Sequence, residues 1–156
     1  MSVLENTDHQ SYVLVQIGRR RFAVSAATVS ELAPPVRLHQ FPQTSPLVAG
    51  VIVRRSRIVP VYDVSRILDG KNSLAHRFYL VATRDFGEAR EASAIPADGE
   101  CELVTAPMTP SDATSPKYIS GTITVGEESI QVLDLDALVA SANTEPSVME
   151  GPGSRA

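Results

Sequence analysis

With 156 residues, 43% of them hydrophobic and 21% charged, the chain has the composition of one globular domain, or of two very small ones sharing a core, which excludes global disorder. Its longest uninterrupted apolar stretch, Leu47 to Val53, is seven residues, against the roughly 20 of a membrane-spanning helix. A net charge of −4 disfavours nucleic acid as the main partner, the single cysteine excludes an internal disulfide or a cysteine zinc site, and Met1 to Gln10 lacks the apolar run of a secretory leader; together these features predict a cytoplasmic protein.

Residues 1–10 and 143–156 are polar or rich in Pro, Gly, Ser and Glu and are predicted to be disordered tails, which leaves 11–142 as the ordered region. Strand signals dominate it. Tyr12 to Ile17 is a β-branched run, Gly18 to Arg21 a polar turn, and Phe22 to Val24 the returning strand of a hairpin. Ala26 to Leu32 fits a short strand or a single helical turn and is ended by Pro34-Pro35. Leu47 to Val53 and Ile58 to Tyr62 read as two strands around Arg54-Arg55-Ser56-Arg57, and Pro60 assigns the second to an edge or a bulge. Asp63 is placed to cap a short helix through Leu68. Phe78 to Thr83 with Ala92 to Ile95, and Tyr118 to Val125 with Ser129 to Leu133, are further strand pairs; Asp134 then caps a helix over 135–142.

The layout occurs twice. Shifting the chain by 71 residues lays Ala23 on Ala94, Glu31-Leu32 on Glu102-Leu103, Gly50 on Gly121, and Val61 and Asp63 on Val132 and Asp134. Eight of the 46 positions from 23 to 68 are identical without a gap, against roughly three expected by chance at average residue usage. A unit of this size is marginal alone. Two of them, with apolar faces turned together and edges closed, predict an all-β protein of two small barrels around a shared core. The approximate halves are 11–76 and 77–142, an arrangement compatible with strands exchanged between them.

Residues that could carry chemistry are few. Arg54, Arg55 and Arg57 form either a recognition loop for carboxylates or a solvated turn, and Arg19-Arg20-Arg21 reads as a solvated turn. The paired carboxylates Asp63 and Asp134 read as helix caps rather than as an acid–base pair. His9, His39 and His76 have no metal-ligand spacing, Cys101 has no catalytic companion pattern, and no phosphate loop or nucleophile elbow is present. No catalytic residue, cofactor or metal is expected.

The string from Leu47 through Gly50-Val51-Ile52-Val53-Arg54-Arg55-Ser56-Arg57-Ile58-Val59-Pro60-Val61-Tyr62-Asp63-Val64 resembles the signature of the CheW family of chemotaxis coupling proteins. That pattern reads Gly-Val-Ile-Asn-Leu-Arg-Gly, a basic or polar residue, then Ile-Val-Pro-Val-x-Asp-Leu. The strands from Tyr12 to Val24 resemble the family's start, and Tyr118 through Leu138 its end; residues 84–117 match weakly. The resemblance implies two SH3-like five-stranded β-barrel subdomains around a shared hydrophobic core, with short helices after the barrels. It also implies a non-enzymatic adaptor, recruited to membrane-bound receptor arrays, whose partners are the regulatory domain of a CheA-like histidine kinase and the cytoplasmic tip of a methyl-accepting chemoreceptor. Arg55 falls on the family's characteristic arginine. Arg54, Arg57, Leu47, Val51, Val53 and Val59 complete the expected partner-binding surface. Three positions depart from the pattern: Val53 replaces Asn, Arg54 replaces Leu and Ser56 replaces Gly. Serine takes up a positive φ only at a cost, so a different loop shape is expected there.

Two rival readings follow from the same residues. One is a nucleic-acid-binding pair of barrels using the arginine loops, against which the four tyrosines are scattered rather than gathered into a stacking platform. The other is a small enzyme, for which no nucleophile and base are evident.

Overall fold

The computed structural model describes residues 9–40, 48–69, 78–86 and 89–141. Residues 1–8 and 143–156 of the predicted tails, position 142 at the end of the expected last helix, Leu47 and His76 lie outside the described residues. The strands are β1 (Gln10–Ile17), β2 (Arg20–Ser25), β3 (Val29–Ala33), β4 (Val48–Arg54), β5 (Arg57–Tyr62), β6 (Phe78–Phe86), β7 (Ala89–Ala97), β8 (Glu102–Ala106), β9 (Thr109–Pro110), β10 (Ile119–Val125) and β11 (Glu128–Leu133). Two short helices, α1 (Ser65–Asp69) and α2 (135–141), follow β5 and β11. A 3-10 turn at Ala26–Thr28 leads into β3, so the segment after β2, expected to be either a short strand or a single helical turn, divides between the two.

The strands form a six-stranded sheet in the order β8-β1-β2-β11-β10-β9 and a five-stranded sheet in the order β3-β6-β7-β5-β4. Each sheet draws on both halves of the repeat. β1 and β2 lie with β8, β10 and β11, while β3, β4 and β5 lie with β6 and β7. The exchange is two-fold: β2 runs parallel to β11 with Ala23 beside Val132, and β5 runs parallel to β7 with Val61 beside Ala94. Those two pairs are the same pair under the 71-residue shift. Neither half makes a sheet by itself, and the molecule is all-β with two barrel-like subdomains.

Strand alternation sends one face of each sheet inward. One interior is lined by Tyr12, Leu14, Ala23, Ile123, Ile130 and Val132. The other is lined by Tyr79, Val81, Ala94, Ile52, Val59 and Val61 in matching positions. A third cluster lies between the barrels, where Phe22, Val24, Leu80, Ile95 and Leu133 meet Val64 and Leu68 of the α1 segment and Leu138 of α2. Each such side chain contributes about 1.5–3 kcal/mol when removed from water. The shared cluster is the larger, so neither barrel could keep its outer face without the other.

The repeated glycines have a steric cause. β4 and β10 each carry a register shift, at Val48/Gly50 and Ile119/Gly121. A neighbouring backbone crosses closely at both: a Cβ on Gly50 would collide with the His39 carbonyl, and one on Gly121 with the Thr109 carbonyl. The repeated aspartates act as caps. Asp134 Oδ1 accepts the Ala137 N–H at 3.2 Å, and Asp63 Oδ1 accepts the Ser65 hydroxyl at 2.6 Å and its N–H at 3.3 Å.

Two local expectations are corrected. Pro60 lies neither on an edge nor at a bulge, because β5 sits between β4 and β7. It pairs with Val51, which turns its own N–H and C=O away from β5 to His39. The 51/60 pair is therefore a non-hydrogen-bonded one, where proline forfeits no ladder donor to β4. β5 meets β7 in register only at Val61, which leaves room for the ring. Arg20 and Arg21 belong to β2, because the turn is only Gly18-Arg19, with Gly18 at φ 67. The short strands β8 and β9 fall in the stretch that matched the family pattern weakly.

Candidate protein-interaction site

β4 and β5 are joined by a two-residue turn, Arg55-Ser56. Tight hairpins of this kind match the strand twist when both central residues have positive φ, which is why glycine and asparagine dominate them. Here Arg55 has φ 53 and Ser56 φ 66. Left-handed backbone costs a residue with a Cβ roughly 1–2 kcal/mol. The serine has thus not given the loop another shape; the left-handed turn is kept and carries the strain. The hairpins at Gly18-Arg19 and Gly126-Glu127 place glycine first, at φ 67 and 63.

The turn fixes which side chains share a face. Val53 stands directly opposite Ile58, and Val51 opposite Pro60. Val53 is 50% and Ile58 72% exposed, an apolar cross-strand pair in solvent, while Val51 and Pro60 are half-buried beside it. The alternate positions Ile52 and Val59 point into the barrel and are buried. Val59 therefore does not belong to the exposed surface on which it was expected. The sequence reading also missed Ile58, although pairing 53 with 58 across a two-residue turn would have found it.

Arg54 follows Ile52 on the inward side and reaches across the mouth of the barrel to β3, where Glu31 shares the inward side with Ala33. Arg54 Nη2 and Glu31 Oε2 form a close ion pair. β3 and β4 are the two ends of the five-stranded sheet, so this contact clasps its open side. Glu31 is 14% and Arg54 24% exposed at the side chain, and Arg54 Nε is buried with no hydrogen-bond partner among the described residues. The hydrogen bond from Arg54 holds the Glu31 carboxyl below its ordinary range, and the same contact raises Arg54. A depressed carboxylate stabilises the fold above its unfolded value and loses that contribution as pH falls through the folded one. Arg55 is different. Its Nε lies 3.8 Å from Glu31 Oε1, too far for a hydrogen bond, and its side chain is 78% exposed. Arg57 is exposed as well. The hairpin thus offers an apolar pair flanked by two solvent-facing guanidinium groups.

The other arginine cluster is engaged within the fold through Arg20 and Arg21 of β2. Arg20 donates to Gln131 Oε1 at 2.5 Å and to the Leu68 carbonyl at 3.3 Å, and its guanidinium stacks 4.8 Å from the Phe22 ring centre. Arg21 bridges Glu128 at 2.8 Å and Glu102 at 3.1 Å. These contacts stitch β2 to β8 and β11, so Arg20 and Arg21 are tied to partners within the fold.

Burial pushes the Cys101 thiol up to about 11, which suppresses the reactive thiolate at neutral pH. No group of three or more His, Cys, Asp or Glu side chains is arranged to hold a metal ion among the described residues. Asp63 and Asp134 are occupied as caps. An open groove of about 490 Å³ runs between the barrels beside Tyr12, Ser25, Thr28, Met108 and Asp134; it is not lined by Arg54, Arg55 or Arg57. No helix among the described residues is long and apolar enough to cross a membrane.

Comparison with known proteins agrees with this architecture. No curated protein matches the chain at a significant level. Among solved structures, the scaffolding protein TtCheW from Thermoanaerobacter tengcongensis superimposes with a TM-score of 0.64 at 16% identity, over 83% of this chain and 86% of that one. At that identity the likeness is one of fold. The family model for the CheW-like domain matches residues 11–143, which spans both barrels and the Arg55 hairpin. The chain belongs to the CheW-like domain family.

Proposed function

We propose that the protein is a non-enzymatic adaptor that couples a chemoreceptor tip to the regulatory domain of a CheA-type histidine kinase, with the β4–β5 hairpin as one of its contact surfaces. The observation that carries this reading is the hairpin itself. A strained two-residue turn holds Arg55 out in solvent beside the exposed Val53–Ile58 pair. Backbone strain persists where surrounding structure enforces it and clusters at functional sites. A largely exposed arginine fork beside desolvatable apolar surface has the composition of an interaction hot spot, and the partner it suits carries carboxylates next to an apolar ridge. Membership in the CheW-like family supplies the class of partner, and the family match is consistent with a scaffold rather than an enzyme.

The test is a pull-down and titration of the full chain with a cognate receptor fragment and kinase regulatory domain. The wild type binds both. Arg55→Glu weakens at least one by about tenfold or more, the scale on which reversal of an interfacial charge acts. Absence of binding by the wild type, or undiminished binding of both partners by Arg55→Glu, removes this role from the hairpin.

A further inference from the structure

Glu31 faces two arginines with one carboxylate. Oε2 is taken by Arg54, while Oε1 stands 3.8 Å from Arg55 Nε. The three groups differ sharply in exposure: Glu31 and Arg54 are mostly covered, and Arg55 is not. Arg54 approaches from the inner side of β4, whereas Arg55 sits in the left-handed turn. A mostly covered carboxylate without a cation is costly, so some guanidinium must meet it. Were Arg54 absent, the nearest cation would be Arg55, already within 4 Å.

We infer that Arg54 is a positioning residue: by occupying Glu31 it keeps Arg55 from folding inward and leaves its guanidinium free for a partner's carboxylate. The inference rests on the reading of Arg55 as a contact residue and adds a device that sets its availability. Glu31 offers one negative charge to Arg54, Arg55 and Arg57, so these four groups leave the hairpin tip with a net charge of +2. The unpartnered Arg54 Nε shows that the clasp does not satisfy every donor of its own guanidinium. Arg54 forms this clasp at one of the positions where the chain departs from the family's signature.

The experiment measures the rate at which phenylglyoxal modifies Arg55, followed by mass spectrometry of the Arg55-containing peptide from the intact folded chain. In Arg54→Leu, Arg55 takes over Glu31 and reacts about two- to fivefold more slowly than in the wild type, the range that a pair worth up to about 1 kcal/mol gives. In Arg54→Leu/Glu31→Gln the carboxylate is gone and the wild-type rate returns. Arg54→Lys, which keeps a cation on Glu31, reacts near the wild-type rate and serves if the leucine variant does not fold. A purely structural role for Arg54 would loosen the hairpin and make Arg55 react faster. An unchanged or faster rate in Arg54→Leu, or a slow rate persisting in the double variant, overturns the inference; where only the lysine variant folds, a rate well below wild type does so. The rate needs no partner protein, so its outcome is separate from that of the Arg55→Glu binding experiment.

Discussion

The two hairpins related by the 71-residue shift, β4–β5 and β10–β11, have the same core and different tips. Inside, Ile52, Val59 and Val61 correspond to Ile123, Ile130 and Val132, all buried. Outside, the exposed pair Val53–Ile58 corresponds to Thr124–Ser129. The turn Arg55-Ser56 corresponds to Gly126-Glu127, which needs only its glycine at positive φ. Glu31, mostly covered and clasped by Arg54, corresponds to Glu102, which is 59% exposed and meets Arg21 across the sheet. One tip follows the rules of a soluble hairpin: glycine in the turn and hydroxyls on the wet face. The other breaks them at Val53, Arg55, Ser56 and Ile58. Interior positions stay apolar and close in volume, Val59 and Ile130 differing by one methylene, because a close-packed interior responds to changes of volume. The departures gathered on one exterior are what the proposed contact surface would account for.

The largest expected effect probes the part that is alike. Ile52→Ala and Ile123→Ala each remove a fully buried side chain from an equivalent barrel interior and should each cost about 2–5 kcal/mol in urea unfolding. A large cost at one and near-neutrality at the other would mean that the two barrels do not share the load. A smaller effect probes the part that differs. Ser56→Gly should stabilise by about 1 kcal/mol, since glycine takes up the left-handed turn without a Cβ penalty. Gly126→Ala, in open space at φ 63, should lose about the same amount. If Ser56→Gly left stability unchanged or lowered it, the β4–β5 turn would not be the strained member of the pair.

Much of the fold was legible because it depends on patterns that repeat. The 71-residue shift, the paired glycines and the paired aspartates are traces of two copies of one unit, and the structure gives each a cause in a close backbone crossing or a helix cap. The exchange of strands between sheets was not legible in the same way. Nothing local in Val61 or Ala94 announces that they lie side by side; that pairing follows from the shared core, which forms only when both halves are present. Pro60 misled because the rule for proline in a strand assumes that every N–H of an interior strand is needed, and here the ladder spares it. At the site, Arg55 was picked out by its turn and by family resemblance. Glu31 was not, because an ion pair across a barrel mouth joins residues 23 positions apart with no sequence spacing of its own. Ile58 was missed by treating the strands separately, and Val59 was misplaced for the same reason: a one-residue shift along a strand exchanges inside for outside.

The claim that the departures on the β4–β5 tip form a contact surface is tested most directly by mapping amide and methyl NMR shifts of the labelled full chain as the receptor tip fragment, and separately the kinase regulatory domain, is added. With at least one partner, the account predicts perturbations centred on Val53, Arg55 and Ile58 and little change at Thr124, Gly126 and Ser129. Shifts confined to the β10–β11 tip, or a β4–β5 tip that stays silent while both partners bind, would contradict it.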